Sequence, residues 1–224
     1  MSLGAAIGDL LPSAVGVALS PVPIIAAVLM LMSPAAARTA PAFALGWICG
    51  LLAVTTVVVL VADPAKAGEE GGRTWTAIVK LLLGVLFLVM AVKQWRSRPR
   101  DGQEPRMPGW MAAVDRMPVP QAFGLGALLS GLNPKNLALA VAAALVIAES
   151  NLTVGGTAAA VLIFVVLGSL TVAGPVLAFL LMRDRIRAPL LSAKDWLVAE
   201  NATVMFVVLL LLGVVMIGKG LAGW

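Results

Sequence analysis

The chain has 224 residues and a net charge of +5; 61% of its residues are hydrophobic and 12% are charged. About a quarter of the residues of an ordinary soluble domain are charged, so the composition excludes a water-soluble globular protein and indicates an integral membrane protein. With no histidine and one cysteine, Cys49, the sequence also excludes a Ser/His/Asp catalytic set, an internal disulfide bond and a CxxC redox pair.

Six apolar segments follow one another along the chain, and each is long enough to cross a bilayer core of about 30 Å as an α-helix. They cover residues 10–32, 41–61, 75–95, 119–148, 153–182 and 196–221. Connected by short loops, these six spans use up the chain. We therefore predict an all-α integral membrane protein with one membrane domain, 1–224, and no second soluble domain.

Positive charge is distributed unequally between the two sets of loops. The loops after spans 1, 3 and 5 hold eleven Lys or Arg residues, whereas the opposite side holds four, Lys66, Arg73, Lys80 and Lys219. Because cytoplasmic loops are enriched in Lys and Arg, the first side is predicted to be cytoplasmic and both termini are predicted to lie outside. The basic charge is thus a topology signal in the cytoplasmic (inner) membrane, and no nucleic-acid partner is expected.

The segment 97–118 is the one sizeable loop of the predicted topology. It is rich in Pro, Arg and Gly and is predicted to be a cytoplasmic linker between two halves of the chain. Tryptophans are expected where spans meet the membrane surface, and four lie at predicted span ends: Trp75, Trp95, Trp196 and Trp224.

The two halves on either side of this linker share short motifs in the same order. LSPVPI at residues 19–24 of span 1 aligns with LNPKNL at 132–137 of span 4, and LLLGV occurs at 81–85 of span 3 and again at 210–214 of span 6. Three spans per half make the second half enter the membrane from the opposite side. The sequence therefore predicts a 3+3 inverted repeat of 1–96 and 119–224, a plan common among secondary transporters.

Prolines lie near the middle of the first span of each half. Pro21 and Pro23 in span 1, and Pro134 in span 4, each remove a backbone hydrogen bond and clash with the preceding helical turn. Helices 1 and 4 are therefore predicted to be broken there. Broken helices at corresponding places in two repeats are the best sequence indication of a transporter's substrate site, although either break alone could serve only helix packing.

Polar residues accompany these prolines, and they complete the predicted site: Ser20, Ser130, Asn133, Lys135 and Asn136. Lys135 is the one charged residue predicted near the membrane midplane, where a charge costs roughly 3 kcal/mol on insertion scales. One hypothesis is that it faces a wet cavity and binds an anionic substrate group. The alternative is that it snorkels toward water and binds carbonyl oxygens of the unwound turn.

Other patterns indicate packing and the absence of catalysis. Gly46 and Gly50 form a small-xxx-small motif in span 2, which is expected to serve internal helix packing rather than dimerisation. Without a midplane carboxylate, a histidine or a phosphate-binding lysine loop, the chain is expected to be no enzyme, with no catalytic residues, no metal and no cofactor.

The doubled three-span plan, with Ser20-Pro21-Val22-Pro23 in span 1 and Asn133-Pro134-Lys135-Asn136 in span 4, resembles the lysine-exporter (LysE-type) superfamily. Within it the chain is most similar to the actinobacterial glycolipid-addressing branch, which includes the sulfolipid-1-addressing proteins. The resemblance implies an exporter of a lipid or glycolipid that works beside large lipid-synthesis or lipid-export machinery. The cysteines of the thiol-disulfide relatives are absent, which argues against electron transport.

Three functions follow from these patterns. The first is a transporter that moves a lipid or glycolipid, anionic in character, with its site between helices 1 and 4 near the midplane. The second is an exporter of an amino acid or another small solute. The third is a non-transporting scaffold that anchors a lipid-synthesis or export complex. A homo-oligomer is compatible with all three.

Overall fold

The computed structural model describes residues 1–62, 69–97, 114, 116–182 and 186–222, and the long elements within them are all α-helices. There are eight: α1 Leu3–Ala18, α2 Pro21–Met32, α3 Ala36–Val61, α4 Glu69–Arg96, α5 Val119–Gly131, α6 Pro134–Glu149, α7 Val154–Met182 and α8 Arg187–Leu221.

Four unbroken helical segments are long and apolar enough to cross a membrane: Ala36–Val61, Thr74–Arg96, Val154–Met182 and Ala202–Leu221. They coincide with predicted spans 2, 3, 5 and 6, so the prediction of a multi-pass helical membrane protein is confirmed. Several helices begin before the apolar spans that they contain. For example, α3 begins at Ala36 and α8 begins at Arg187, because a helix continues into polar sequence beyond the apolar stretch.

Predicted spans 1 and 4 are each a pair of shorter helices. The axes of α1 and α2 differ by 52° and those of α5 and α6 by 59°, and each pair is apolar enough to form one broken span. Both second helices start at a proline, Pro21 or Pro134, in the first turn, where a missing N–H costs nothing. The predicted breaks at these prolines are confirmed.

Glycines let the helices around the breaks approach closely. A Cβ atom added at Gly46 of α3 would lie 1.9 Å from the Phe123 carbonyl oxygen of α5, and one at Gly50 would lie 2.3 Å from the Ser130 hydroxyl. Gly126 of α5 is equally close to the Phe43 carbonyl of α3. The motif of span 2 therefore packs within the chain, as predicted.

Helices α4 and α8 form a second closely packed pair. Gly84 and Gly213 face each other, since a Cβ atom on either would lie 3.0 or 3.1 Å from the carbonyl oxygen of the other. The rings of Trp95 and Phe206 pack with centroids 4.7 Å apart in the same interface. The two LLLGV motifs are thus in contact with each other.

Among the described residues, one end of the bundle carries two ion pairs. Lys80 of α4 binds Glu149 at the end of α6, and Lys219 of α8 lies 3.1 Å from the Asp9 carboxylate of α1. The N-terminal ammonium donates to the Ser150 carbonyl at 3.0 Å at this same end. These charges therefore gather where the first span of each half starts or finishes.

Many of the residues from which the membrane orientation was predicted lie outside the described residues. This applies to most of the linker 97–118, to the basic residues 98, 100, 106, 183 and 185, to Lys66 and to Trp224. The three other tryptophans predicted at span ends, Trp75, Trp95 and Trp196, are 63%, 41% and 57% exposed, as expected for interfacial residues.

Candidate functional site at the two helix breaks

Each break diverts one backbone amide, and the carbonyl oxygen that would be its regular acceptor loses its helical partner. The Ser20 amide donates to the Val17 carbonyl at 3.1 Å, although the acceptor of a regular helix is four residues back, at Gly16. The Asn133 amide likewise donates to Leu128 at 3.1 Å rather than to Leu129. The two freed carbonyls, those of Gly16 and Leu129, each lie five residues before the proline of their break.

Side chains from the second break bind both freed carbonyls. The Lys135 ammonium donates to the Gly16 carbonyl at 3.0 Å, and the Asn136 amide Nδ2 donates to the Leu129 carbonyl at 2.8 Å. Within a bilayer, an unpaired backbone carbonyl would cost several kcal/mol. Lys135 and Asn136 therefore stabilise the two unwound turns, and Lys135 does so across 119 positions of sequence.

Ser20 connects these two side chains. Its hydroxyl accepts a hydrogen bond from the Lys135 ammonium and donates one to Asn136 Oδ1 at 2.8 Å. Ser20 is 3% exposed, Lys135 8% and Asn136 0%. The three residues form one buried hydrogen-bonded cluster, named here the break cluster, which joins the break of the first half to that of the second.

Among the residues that the structure describes, no carboxylate lies beside the Lys135 ammonium of the break cluster. The contacts of the Lys135 ammonium within the described residues are the Gly16 carbonyl, the Ser20 hydroxyl and the Met205 sulfur at 3.6 Å. All three are neutral. The N-termini of α2 and α6 begin at the same breaks, and a helix N-terminus also favours negative charge. The arrangement is therefore electrostatically suited to an anionic group.

Asn133 has a local role that Ser20 does not share. It is the N-cap of α6, where its side chain accepts a hydrogen bond from the Lys135 backbone amide at 3.1 Å. Ser20 precedes α2 in the same way but makes no side-chain cap, because its hydroxyl is engaged by Lys135 and Asn136. Ser20 thus connects two segments, whereas Asn133 stabilises one helix start.

The remaining predicted site residues lie around the break cluster. Pro21 and Pro23 are buried in the first turn of α2, whereas Pro134 is exposed at the start of α6. Ser130 is buried one turn earlier, where it donates to the Ala127 carbonyl at 3.2 Å and packs on Gly50. The structure therefore brings Ser20, Lys135 and Asn136 into direct contact and leaves the other five as supports.

The structure can be compared with the two sequence hypotheses for Lys135. The ammonium does bind a carbonyl of the unwound turn, which the second hypothesis expected, but it is buried rather than snorkelling. Its role in binding a substrate stays a prediction.

Three partners were missed from the sequence: the Gly16 carbonyl, Met205, and Thr171, whose hydroxyl donates to the Ala18 carbonyl. Every residue has a backbone carbonyl, so the sequence cannot indicate which carbonyl binds a side chain. A threonine within apolar span 5 was the one available indication, since hydroxyls in membrane helices pair with carbonyls.

No set of three His, Cys, Asp or Glu side chains comes together in the part of the chain that the structure describes. The site chemistry visible there is that of one ammonium, an amide and hydroxyls.

Comparison with known families matches the chain from residue 10 to residue 222 to the family model of Sap, the sulfolipid-1-addressing protein. The chain belongs to this family, which implies a lipid-related function in a membrane. Neither a curated protein nor a solved structure matches the chain.

Proposed function

We propose that the chain is a transporter that moves an anionic lipid or glycolipid across the cytoplasmic membrane, and that the lipid headgroup binds at the break cluster. The family description, which names a sulfolipid, supports a lipid with a negatively charged sulfated headgroup. In this proposal the protein binds and moves its substrate without chemical conversion. It works in the membrane alone or beside lipid-synthesis or export machinery.

The observation that carries the proposal is the unpaired buried charge of Lys135. Lys80 and Lys219 each pair with a carboxylate, whereas Lys135 is surrounded by neutral acceptors in the described residues. A midplane ammonium is costly, and ionisable residues inside membranes mark substrate or ion pathways. A sulfate or phosphate oxygen would be a stronger acceptor for it than a hydroxyl or a thioether.

We include in the proposal that the two halves form an inverted repeat of the LysE type. Equivalent contacts in the two halves support this repeat. Gly50 of α3 packs on Ser130, four residues before Pro134, and Gly168 of α7 packs on Val17, four residues before Pro21. The same contact is thus made with the two halves exchanged. Gly84 and Gly213, which occupy the same place in the repeated LLLGV motifs, contact each other directly.

Alternating access then has a physical route through the break cluster. In the structure the break cluster is closed to substrate. The Lys135 ammonium donates to the Ser20 hydroxyl, and that hydroxyl donates to the Asn136 side-chain oxygen. A headgroup oxygen that binds Lys135 would take the place of the weak Met205 acceptor and would compete with the Ser20 hydroxyl and the Gly16 carbonyl for the ammonium. Since Gly16 lies in the last turn of α1 and Lys135 lies in the first turn of α6, this exchange would loosen the contact between the two broken spans and favour rocking of one half against the other.

Reconstitution into liposomes tests the function. Purified protein is inserted into vesicles that contain a tail-labelled fluorescent sulfated galactolipid, and a membrane-impermeant quencher reports which leaflet holds the label. Wild-type protein is expected to move the lipid faster than empty vesicles do. Lys135→Gln, which keeps a donor but loses the charge, is expected to slow the movement at least tenfold, because the anionic headgroup loses its counter-charge.

Lys219→Gln is the matched control, since this lysine pairs with Asp9 at the end of the bundle and should leave the rate within about twofold. Unchanged transport by Lys135→Gln would reject the substrate role of Lys135. If wild-type protein moves no lipid but releases trapped amino acids, the small-solute exporter is correct. If neither crosses faster than in empty vesicles, the result favours the non-transporting scaffold.

A further inference from the structure

The Lys135 ammonium is also contacted from outside the two broken spans. Its Gly16 and Ser20 acceptors belong to the first broken span, whereas the Met205 sulfur, 3.6 Å from the ammonium, belongs to α8. Met205 is 5% exposed. Within the described residues, it is the side chain through which the last helix of the second half reaches the buried charge.

Helix α8 lies directly against the first break. A Cβ atom added at Gly16 would lie 2.8 Å from Cδ1 of Leu212 in α8 and 3.1 Å from Cδ1 of Leu139 in α6. Met205 precedes Leu212 by two helical turns and therefore lies on the same face of α8. The contact between Met205 and the ammonium is thus part of a continuous interface between α8 and the broken spans.

This face of α8 is lined by apolar side chains. Five buried residues share it: Ala202, Met205, Leu209, Leu212 and Met216. Methionine in such a place often only fills an irregular gap in the core. Met205 has an additional property, because its sulfur faces a cation. Its role can therefore be separated from packing by replacements of similar volume.

A thioether is the weakest kind of acceptor that the ammonium has here. The other two are a carbonyl and a hydroxyl oxygen, and both accept hydrogen bonds more strongly than sulfur does. Exchange of the sulfur for an anionic oxygen gains a charge-assisted hydrogen bond, roughly twice as strong as a neutral one. Exchange for a neutral oxygen gains less and still removes that oxygen from water. The unbranched methionine side chain can turn aside without a shift of the backbone.

We propose that Met205 is a specificity-determining residue of the anion site, whose thioether is the acceptor that a sulfate or phosphate oxygen replaces on Lys135. The inference rests on the proposed function and adds the position at which the anionic oxygen binds. A stronger acceptor at position 205 would occupy the ammonium and exclude the anion. Because α8 packs on α4 through Gly213 and Gly84, the exchange also removes a contact between the α4–α8 pair and the broken spans.

Two replacements of Met205 are expected to change the affinity in opposite directions. Met205→Gln puts an amide oxygen near the ammonium, and this acceptor should weaken binding of a sulfated galactolipid at least fivefold. Met205→Leu removes the acceptor and should tighten binding about two- to fivefold, as for one weak hydrogen bond. The same galactolipid without its sulfate should bind to both variants within about twofold of wild type, since it carries no anionic oxygen.

Purified protein in detergent is titrated with each lipid in competition with a fluorescent sulfated galactolipid. Sodium sulfate is titrated in the same way as a source of the anion without a lipid. Met216→Leu is the matched control, because it makes the same exchange on the same face of α8, about 16 Å further along the axis. It should change no affinity more than about twofold.

Thermal unfolding without lipid provides a readout that a packing role would not give. Met205→Gln is expected to keep or raise the unfolding midpoint, because its amide oxygen accepts from the ammonium. If Met205 only fills space, the same change lowers the midpoint, because an amide is then buried among apolar side chains without a partner.

The outcomes separate this inference from the function on which it rests. If both Met205 variants bind the sulfated lipid equally, or change the sulfated and neutral lipids alike, the inference is rejected, and loss of binding by Lys135→Gln would still support the transporter. If the expected order holds for sodium sulfate while no lipid binds, the acceptor exchange stands and the lipid transporter fails. Should Met205→Gln not fold, Met205→Leu decides alone: tighter binding supports the inference, and unchanged or weaker binding rejects it.

Discussion

Most hydrogen-bond donors and acceptors of the break cluster have partners. A lysine ammonium has three donors, and Lys135 faces three acceptors, the Gly16 carbonyl, the Ser20 hydroxyl and the Met205 sulfur. Asn136 uses its oxygen for Ser20 and its nitrogen for Leu129. The weak acceptor of this set is the thioether of Met205, so that face of the ammonium has the most to gain from an incoming oxygen.

At this scale we predict that Asn136→Leu lowers the free energy of unfolding by about 1–3 kcal/mol, because a buried carbonyl and a buried hydroxyl lose their partner. The replacement has a similar volume, so the loss of packing is small. Thermal unfolding in detergent measures it. Ser2→Ala is the comparison: it removes the N-cap of α1 at an exposed site, where Ser2 accepts from the Ala5 amide at 3.3 Å, and water can replace it. Equal effects of the two substitutions would contradict the prediction.

At the scale of elements, the close packing of α3 on α5 depends on glycines at specific positions. A Cβ atom at Gly46 would lie 1.9 Å from the Phe123 carbonyl oxygen, a distance that backbone atoms cannot tolerate. The helices must therefore separate if any side chain is added there. Because α5 leads directly into the second break, such a shift would also move the Leu129 carbonyl that Asn136 binds.

We predict that Gly46→Ala destabilises the protein by about 1–3 kcal/mol or more, as overpacking does, and reduces lipid transport. Gly124→Ala on the facing helix is the matched control, since nothing lies within 4 Å of its added Cβ atom. That change should be neutral or stabilise by up to about 1 kcal/mol, because alanine is the better helix former. Thermal unfolding of both variants in the same detergent measures these changes. A Gly46→Ala protein as stable as wild type would show that the packing of α3 on α5 does not depend on this contact.

The elements that sequence reasoning predicts well are those with a local cause. A proline removes its own hydrogen bond, so the breaks at Pro21 and Pro134 follow from the residues themselves. The small-xxx-small motif likewise indicates a close approach wherever the partner lies. The identity of the partner, Phe123 in the case of Gly46, depends on tertiary packing and has no local signal.

The candidate site was predictable only as a set of residues. Ser20 and Asn133 occupy the same position before a proline, yet only Asn133 caps its helix, because Lys135 and Asn136 reach Ser20 from the other half of the chain. Such long-range choices appear only once the helices are placed.

At the scale of the whole molecule, three lysines with described side-chain contacts lie at two levels of the bundle. Paired charges, Lys80 with Glu149 and Lys219 with Asp9, lie at one end of the bundle, with side chains partly accessible. Lys135, which has no carboxylate partner among the described residues, lies at the breaks. Both ion pairs connect the last helix of one half to the broken span of the other.

The number of membrane crossings decides whether the two halves of the chain can form an inverted repeat. Each bent pair, α1 with α2 and α5 with α6, either spans the membrane once or returns to the side it came from. Six crossings put Ser2 and Asn151 outside and Ala37 and Ser97 inside. A re-entrant α5–α6 pair would instead put Asn151 on the side of Ser97. The inverted repeat requires six.

We predict six crossings with both termini outside, and cysteine labelling in intact cells checks the prediction. In a Cys49→Ser background, single cysteines replace Ser2, Ala37, Ser97 or Asn151, which are all exposed in the structure. A membrane-impermeant maleimide should label positions 2 and 151 directly, and positions 37 and 97 only after the membrane is permeabilised, because a charged reagent does not cross the apolar core. Labelling of position 151 together with position 97 would make α5–α6 a re-entrant pair and would exclude the inverted repeat. Labelling of position 97 but not position 2 in intact cells would reverse the orientation inferred from the basic loops.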